Sequence, residues 1–583
     1  MEHRVTTVEN LSMKRAPFKD MAVIYLIAPT EESINQVIND WTDTSKQLYA
    51  NTIFLNFLYR VPDKLVAKIK ECRNMLKRLK VFTEINVNFV VKESHCFHLD
   101  MNSSFTNIYS SNNYDSGVTD YENEIITKLI TFFATVNEYP YIRFKQDSVV
   151  SNRIAKKLQA AMNDFIRNNN NWWYYGDSKH NSRERCTFLV LDRNNDMISP
   201  LIHEFTYQAM VSDLLEMDGD QLTYKLPENK GGAADDDGVV DSDKKDVLLN
   251  DNDEVWVEFR HKHIADVMQT VSKRIMDIMS TNKASKLQNT SENKNMSVAE
   301  LASALKALPE YRELVSKLNQ HMHIANECFS KYNKESLGDL GELEQTLATG
   351  EDEDGKTPKL SDLIEEIVNI LPSLSSINKV RLICIALLSQ HDSFEEEHKN
   401  QILDAASFSS QDKLIIDSLF KVFKPSTEDA LNKSATSNLL GNIFGGKKIQ
   451  KSNQASNDSE YAACRYVTNV KSILDAMVND RLSQDTYPGT QPLPTFKTTT
   501  AASVRTRTAG NQTKTSKWSR DKKKNKKKTY TGGRQIVFIV GGICMSEIRS
   551  GYELMEVGEK EIILGSTEFL DPELYLEQLR KLT

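Results

Sequence analysis

QIVFIV at 535–540 and EIILG at 561–565 stand near the C-terminal end of the chain, and each is an apolar run of strand length followed by a helical pattern. TFLVLD at 187–192, ending in Asp192-Arg193, is a run of the same kind. Unbroken apolar runs bounded by turn residues are the mark of strands covered on both faces, as in parallel sheets. Between these runs, from His203 to about residue 425, the pattern changes to long amphipathic helices, including 264–279, 298–332 and 360–371. The three runs therefore read as strands of one sheet, and the helical block as an insertion within it.

Toward the N-terminus the same alternation recurs. MAVIYLIA at 21–28 is followed by an acidic turn, PTEE, and then by Ile34, Val37, Ile38 and Trp41 at helical spacing. TIFLNF at 52–57 leads through Pro62 to Leu65, Ile69, Cys72, Leu76 and Leu79 on one helical face. Ile85, Val87, Phe89 and Val91 alternate with polar residues and predict a third strand exposed on one side. The fold class expected is α/β plus α: two doubly wound, mostly parallel sheets and a mainly helical domain inserted in the second. Domain 1 covers 1–95, domain 2 covers 96–202 and 466–583, and domain 3 covers 203–465. Doubly wound sheets place their first strand near the middle, so a chain opening on a buried-looking strand predicts a first domain incomplete at its N-terminus.

The 583 residues, at roughly 150 per domain, allow three or four domains. Hydrophobic residues at 39% and charged residues at 26% are the balance of a globular protein rather than a disordered or fibrous one. The seven cysteines form no CxxC pair and read as reduced thiols. No apolar run approaches the about 20 residues of a membrane helix, and neither MEHRVTTVEN nor EQLRKLT carries a targeting pattern, so a cytoplasmic location is expected. An acidic stretch (228–254), an Asn/Ser/Gly/Lys stretch (432–459) and a Thr/Ser/Pro/Lys stretch (485–534) show no packing period and read as loops or disorder. From Lys514 to Arg534 ten Lys or Arg face only Asp521, a local +9 that leaves −17 on the rest of the −8 chain. Lys522–Lys528 is weighed as a weak contact for acidic lipid, with a solvated loop the plainer reading. An acidic body argues against nucleic acid as a partner.

No motif in the sequence assigns a chemistry. Gly541-Gly542 after a strand invites a phosphate, but neither GxGxxG nor GxxxxGK[ST] is present, and a tight turn suffices. His261/His263 and His321/His323 lie in segments read as helical, where i, i+2 ligands diverge, so capping and salt bridges are preferred to a metal. The calcium-loop pattern fails at Gly238 and at Gly355. No GxSxG, HExxH or kinase set appears. No catalytic, cofactor or metal residue is assigned, and the protein is expected not to be an enzyme.

Four segments, LDRNNDMISPLIHEFTYQAMVSDLL (191–215), DEVWVEFRHKHIADV (253–267), LPEYRELVSKLNQHMHIANECF (308–329) and IVFIVGGICMSEIRSGYEL (536–554), resemble the Sec/Munc (SM) family. The likeness is greatest to its syntaxin-binding, Unc-eighteen-like branch, and runs in order over essentially the whole chain. It implies a three-domain arch and a monomeric regulator of vesicle docking and exocytosis, recruited peripherally to the plasma membrane through syntaxin, that chaperones SNARE assembly. An endosomal or Golgi trafficking step is the alternative, and a phospho-ligand enzyme a remote one. It also implies that the syntaxin N-terminal peptide docks at Leu65, Val66, Phe82, Thr83 and Glu84, where the plain reading makes Phe82 core. Closed syntaxin is implied to meet Glu9, Lys14 and Arg15. A vesicle SNARE is implied to meet a helical hairpin near 337–371, with Leu343, Leu347, Ser361, Leu363, Ile364 and Ile367. Family members carry a further strand and helix ahead of VTTVENLSMKRAP, and a proline at the hairpin bend where Ser361 stands here, with Pro358 three residues earlier.

Overall fold

The structure is a computed structural model that describes residues 5–42, 48–49, 52–110, 119–169, 184–225, 244–281, 298–390, 393–422, 464–493 and 530–582. The expectations for 432–459 and for Lys522–Lys528 lie outside the described residues.

The first sheet is β1 (Val23–Ile27), β2 (Ile53–Phe57) and β3 (Leu79–Glu84), parallel and in that order. Helix α1 (Glu31–Thr42) starts where Thr30 Oγ1 accepts from the Ser33 amide and where Glu31 and Glu32 meet the positive end of the helix. It lays Ile34, Val37 and Trp41 over Val23, Tyr25 and Ile27. The second connection is two helices, α2 (Asp63–Glu71) and α3 (Arg73–Leu76), broken at Cys72. Two expectations are corrected here. Leu79 opens β3 instead of closing a helix, and the third strand is 79–84 rather than 85–91. KVFTEINVNFVV carries two overlapping alternating frames, and pairing with β2 selects the earlier one. Asn86, with φ of 55°, then ends the extended run.

The second sheet begins with β4 (Val90–Glu93) and β5 (Cys96–His98), an antiparallel hairpin. A boundary at 95 falls inside that hairpin. Helices α4 (Ser104–Tyr109), α5 (Thr119–Val136) and α6 (Val149–Asn168) and strands β6 (Tyr141–Phe144) and β7 (Thr187–Asp192) follow.

The chain then builds the helical unit. Helix α7 (Tyr207–Leu214) precedes a small antiparallel sheet of β8 (Met217–Asp218), β9 (Gln221–Lys225) and β10 (Lys244–Leu248). That sheet corrects the reading of loop at 244–248, the rest of the stretch up to residue 243 lying outside the described residues: a short strand carrying two lysines and an aspartate shows no clear period in sequence. Helices α8 (Glu254–Phe259), α9 (Ile264–Thr281), α10 (Val298–Lys334), α11 (Leu337–Thr349), α12 (Leu360–Ile370), α13 (Ser376–Ser389), α14 (Glu396–Ala406) and α15 (Ser410–Val422) complete the unit.

Helix α16 (Asn469–Val478) leads back to the sheet, which is finished by β11 (Gln535–Val540), α17 (Met545–Val557), β12 (Ile562–Ser566) and α18 (Pro572–Arg580). The strand order is β4-β5-β12-β11-β7-β6, and every pair except β4/β5 is parallel. The three apolar runs do share one sheet, as read from the sequence; the structure adds that QIVFIV lies between TFLVLD and EIILG's strand and that all six of its residues are buried. The core does not stop at the insertion. Phe97, Phe132, Phe188 and Phe538 of the sheet layer belong to one apolar cluster with Trp256, Ile324, Leu343, Ile367 and Ile383 of the helical unit. Arg381 fastens the junction, donating to the Leu201 carbonyl at 2.7 Å and to Asp213 at 2.9 Å. No disulfide joins any of the seven cysteines.

Candidate partner-binding sites

The end of β3 and the start of α2 form one surface. Phe82 is 41% exposed, with its ring 5.2 Å from that of buried Phe57. Phe82 is thus not a core residue. Thr83 and Glu84 are exposed on the same edge strand. Glu84 Oε1 accepts from the Val61 amide at 2.8 Å, which draws the loop before α2 against the strand. Behind that loop Leu65 is buried and Val66 half-buried in the first-sheet core. No cation pairs with Glu84 among the described residues, so an exposed ring and an available carboxylate stand side by side, which is the chemistry that receives an apolar residue next to a basic group.

Glu9 and Lys14 are exposed. Arg15 is engaged within the chain, pairing with Asp40 at 2.8 Å and donating to the Tyr49 hydroxyl at 3.2 Å. Asp40 in turn accepts from the Tyr25 hydroxyl, which accepts from the Trp41 indole. Burial and the neighbouring Asp40 carboxylate hold the Tyr25 hydroxyl well above its ordinary value. Arg15 clamps the N-terminal segment to α1 and is not a free contact.

The hairpin near 337–371 is folded back on the core in this structure. Leu343, Leu347, Leu363, Ile364 and Ile367 are all buried in the main core, and only Ser361 is exposed, its hydroxyl donating to Asp362 at 3.0 Å. An amphipathic stripe looks the same whether its apolar face meets a core or a partner. The helical pair whose surface stays apolar is α9 with α10: Met276 is 66% exposed, and Leu314 and Phe329 are each 40% exposed. At about 55 Å for 37 residues, α10 is also the longest helix among the described residues.

The histidines serve the fold. His321 is fully buried, its Nε2 3.1 Å from Asp253 and its Nδ1 3.0 Å from the Tyr207 hydroxyl. Asp253 caps α8 through the Val255 and Trp256 amides. Burial alone would raise its carboxyl, yet His321 and those amides hold it below the usual carboxylate range. His261 and His263 lie in the turn between α8 and α9, not in a helix, which corrects their placement. His261 packs on the Tyr552 ring at 4.6 Å. Burial first, then Arg260 and Arg549, push its pKa down to about 3. Among the described residues no group of three or more ligating side chains is placed to hold a metal.

Gly541 and Gly542 have φ of 95° and 107°, and a Cβ on Gly542 would fall 2.3 Å from Leu570 side-chain atoms. Three amides of this turn are taken: Gly541 donates to Thr567 Oγ1, Ile543 to the Glu568 carbonyl and Cys544 to Glu547. Glu547 itself is fully buried and bound by Arg193 at 2.6 Å and 2.8 Å, which seals the turn. These contacts are those of a tight turn between strand and helix. Among the described residues no helix is long and apolar enough to cross a membrane.

Two parallel sheets, the second interrupted by a helical unit that shares its core, define the class. The Sec1 family model matches residues 1–578, and the chain belongs to that family. It is 32% identical over 582 residues, 99% of this chain and 90% of the relative, to the protein transport protein sec1 of Dictyostelium discoideum. Among solved structures it resembles the Unc18–syntaxin 1 complex of Monosiga brevicollis at a TM-score of 0.74, with 23% identity over 99% of this chain and 91% of that one. It also resembles the SM protein Vps45 in complex with the Qa SNARE Tlg2 at 0.72, with 17% identity over 100% and 90%. The chain has the three-domain arch fold of these SM proteins.

Proposed function

We propose that this SM protein is a non-enzymatic, cytoplasmic regulator of exocytosis that binds a syntaxin and promotes SNARE assembly, reaching the plasma membrane through that syntaxin. The observation that carries the reading is the exposed Phe82-Thr83-Glu84 edge beside α2, on a fold whose solved neighbours include complexes with syntaxin 1 and with a Qa SNARE. A peptide bearing an apolar residue next to a basic one places the first on Phe82, Leu65 and Val66 and the second on Glu84. Such an anchor contributes about 1 to 3 kcal/mol. Closed syntaxin meets Glu9 and Lys14, charges that orient a large partner more than they hold it. The vesicle SNARE, an amphipathic helix, is better received by the apolar surface of α9 and α10 than by α11 and α12, whose leucines would have to leave the core.

Because Phe82 is exposed, Phe82→Arg leaves the melting temperature unchanged, while calorimetry with the N-terminal peptide of a syntaxin shows at least about a tenfold loss, near 1.4 kcal/mol. Unchanged peptide affinity removes the assignment. A pull-down against plasma-membrane, endosomal and Golgi syntaxins distinguishes exocytosis from the other trafficking steps, and retention of only an endosomal or Golgi syntaxin overturns the exocytic reading.

A further inference from the structure

The first domain carries a cationic surface that the syntaxin reading does not use. It spans the last turn of α2, all of α3 and the first residues of β3. From Lys70 to Thr83 the chain holds five Lys or Arg against Glu71 alone, a local +4 in a chain of net charge −8. Lys70, Arg73, Lys77 and Lys80 are all exposed, and Leu76, 38% exposed, stands among them.

The fold leaves these four cations unclaimed. Ile69 and Met75 are buried in the first-sheet core, which turns the charged positions of α2 and α3 outward. Other cations of the region are engaged: Lys68 pairs with Glu31 at 3.1 Å, and Arg78 donates to the Asn74 carbonyl at 2.9 Å and lies over the Trp41 ring. Lys70, Arg73, Lys77 and Lys80 form no ion pair among the described residues. The surface lies at the end of the sheet where β3 starts, and the Phe82–Glu84 edge at the end where it finishes. At about 3.3 Å per residue, Lys80 and Glu84 stand about 13 Å apart along the strand, so both regions can be occupied at once.

We propose that this surface is a contact for an anionic lipid bilayer, with headgroups of the phosphatidylserine type as the ligand chemistry. The four long side chains are spread over three elements and none is fixed by a counter-ion. They suit a partner whose charges move laterally to meet them. A folded acidic protein would have to immobilise every one of them, at a cost in side-chain entropy. Leu76, between Arg73 and Lys77, reaches toward the acyl boundary, while the stems of its neighbours lie along it with their charged heads at headgroup level. Each Lys or Arg held near an anionic leaflet strengthens partition about fivefold.

The test uses the full chain in flotation with vesicles of phosphatidylcholine, with and without phosphatidylserine. No syntaxin is present, so the outcome does not depend on the syntaxin reading. The parent is expected to float only with phosphatidylserine, and to be released as added salt shortens the screening length from about 10 Å at 0.1 M to about 3 Å at 1 M. Lys77→Gln combined with Lys80→Gln changes only exposed side chains. It is expected to lower partition at least about tenfold at an unchanged melting temperature, whereas Lys77→Arg with Lys80→Arg binds as the parent does. Calorimetry with a polyglutamate peptide reads the competing partner. A Gln variant that floats as the parent does overturns the lipid assignment, and if it has lost polyglutamate binding, the surface serves an acidic protein instead. The assignment is equally overturned if the parent floats as well without phosphatidylserine, or if flotation is lost only when the lysines of 522–528 are neutralised.

Discussion

The first and second sheets are made of the same kind of apolar strand, yet they end in opposite environments. In β11 every residue is buried, whereas β1 alternates, with Ile24 66% and Leu26 60% exposed. The cause is the order in which strands are added. Sheet one grows in sequence order, and right-handed crossovers in one direction place all its connecting helices on one face. Sheet two receives strands from both ends of the chain on either side of β11, so helices cover both faces. An apolar run therefore reports strand formation, while topology decides how much of it leaves water.

Breaking the closed region has the largest expected effect. Arg193→Met leaves Glu547 charged and fully buried, and a cost of about 3 to 5 kcal/mol is expected in chemical denaturation. Adding Glu547→Leu removes the stranded charge, and the double variant is expected to recover most of the loss. If both variants are equally unstable, the ion pair is not what holds the β7–α17 junction. Next in size, Ile536→Ala within β11 is expected to cost about 2 to 5 kcal/mol. A value below about 1 kcal/mol would mean that the second sheet relaxes around cavities and is less tightly packed than its burial implies.

Acidification sharpens the contrast, because His261 belongs to the closed region. It is faced by Glu93, Arg260, Asp251, Arg549 and Tyr552 and stays neutral in the fold. The unfolded chain takes up this proton near pH 6.5 and the folded chain only near about 3. Between those values the unfolded state binds more protons, so stability rises with pH and is fully present above 6.5. The slope is at most about 1.4 kcal/mol per pH unit, reduced by the fifth of the side chain open to solvent. His261→Gln is expected to flatten this dependence between pH 5 and 7.5 in urea titrations, and an unchanged slope assigns it to other groups. The smallest effect belongs to the open face. Ile24→Ala is expected to shift stability by no more than about 0.5 kcal/mol, and a loss comparable to that of Ile536→Ala shows that the face is covered in solution.

Site residues divide along the same line. Phe82 and Glu84 entered as candidates through a resemblance, and what the structure adds is that both are exposed on an edge strand. What Arg15, Leu343, Leu347, Leu363, Ile364 and Ile367 face was not legible, since a charge or a stripe in sequence carries no record of it. Asp40, distant in sequence, claims Arg15, and the shared core claims the leucines. The buried ion pairs of Glu122 with Arg153 and Lys157 left no sequence signal either, because these residues meet only when α5 packs on α6.

Short-range chemistry determined, from the sequence alone, that the chain alternates strands and helices, that a helical block interrupts the second sheet, and that QIVFIV, EIILG and TFLVLD are strands of that sheet. Those features depend on periodicity and on runs of apolar residues, which are local properties. Only the tertiary structure decided that β3 uses the earlier of two frames, that the lysine-bearing 244–248 forms a strand, that one face of sheet one stays exposed, and which stripes became core. Each of those outcomes is a competition between alternative partners, settled by apolar area removed from water across elements distant in sequence.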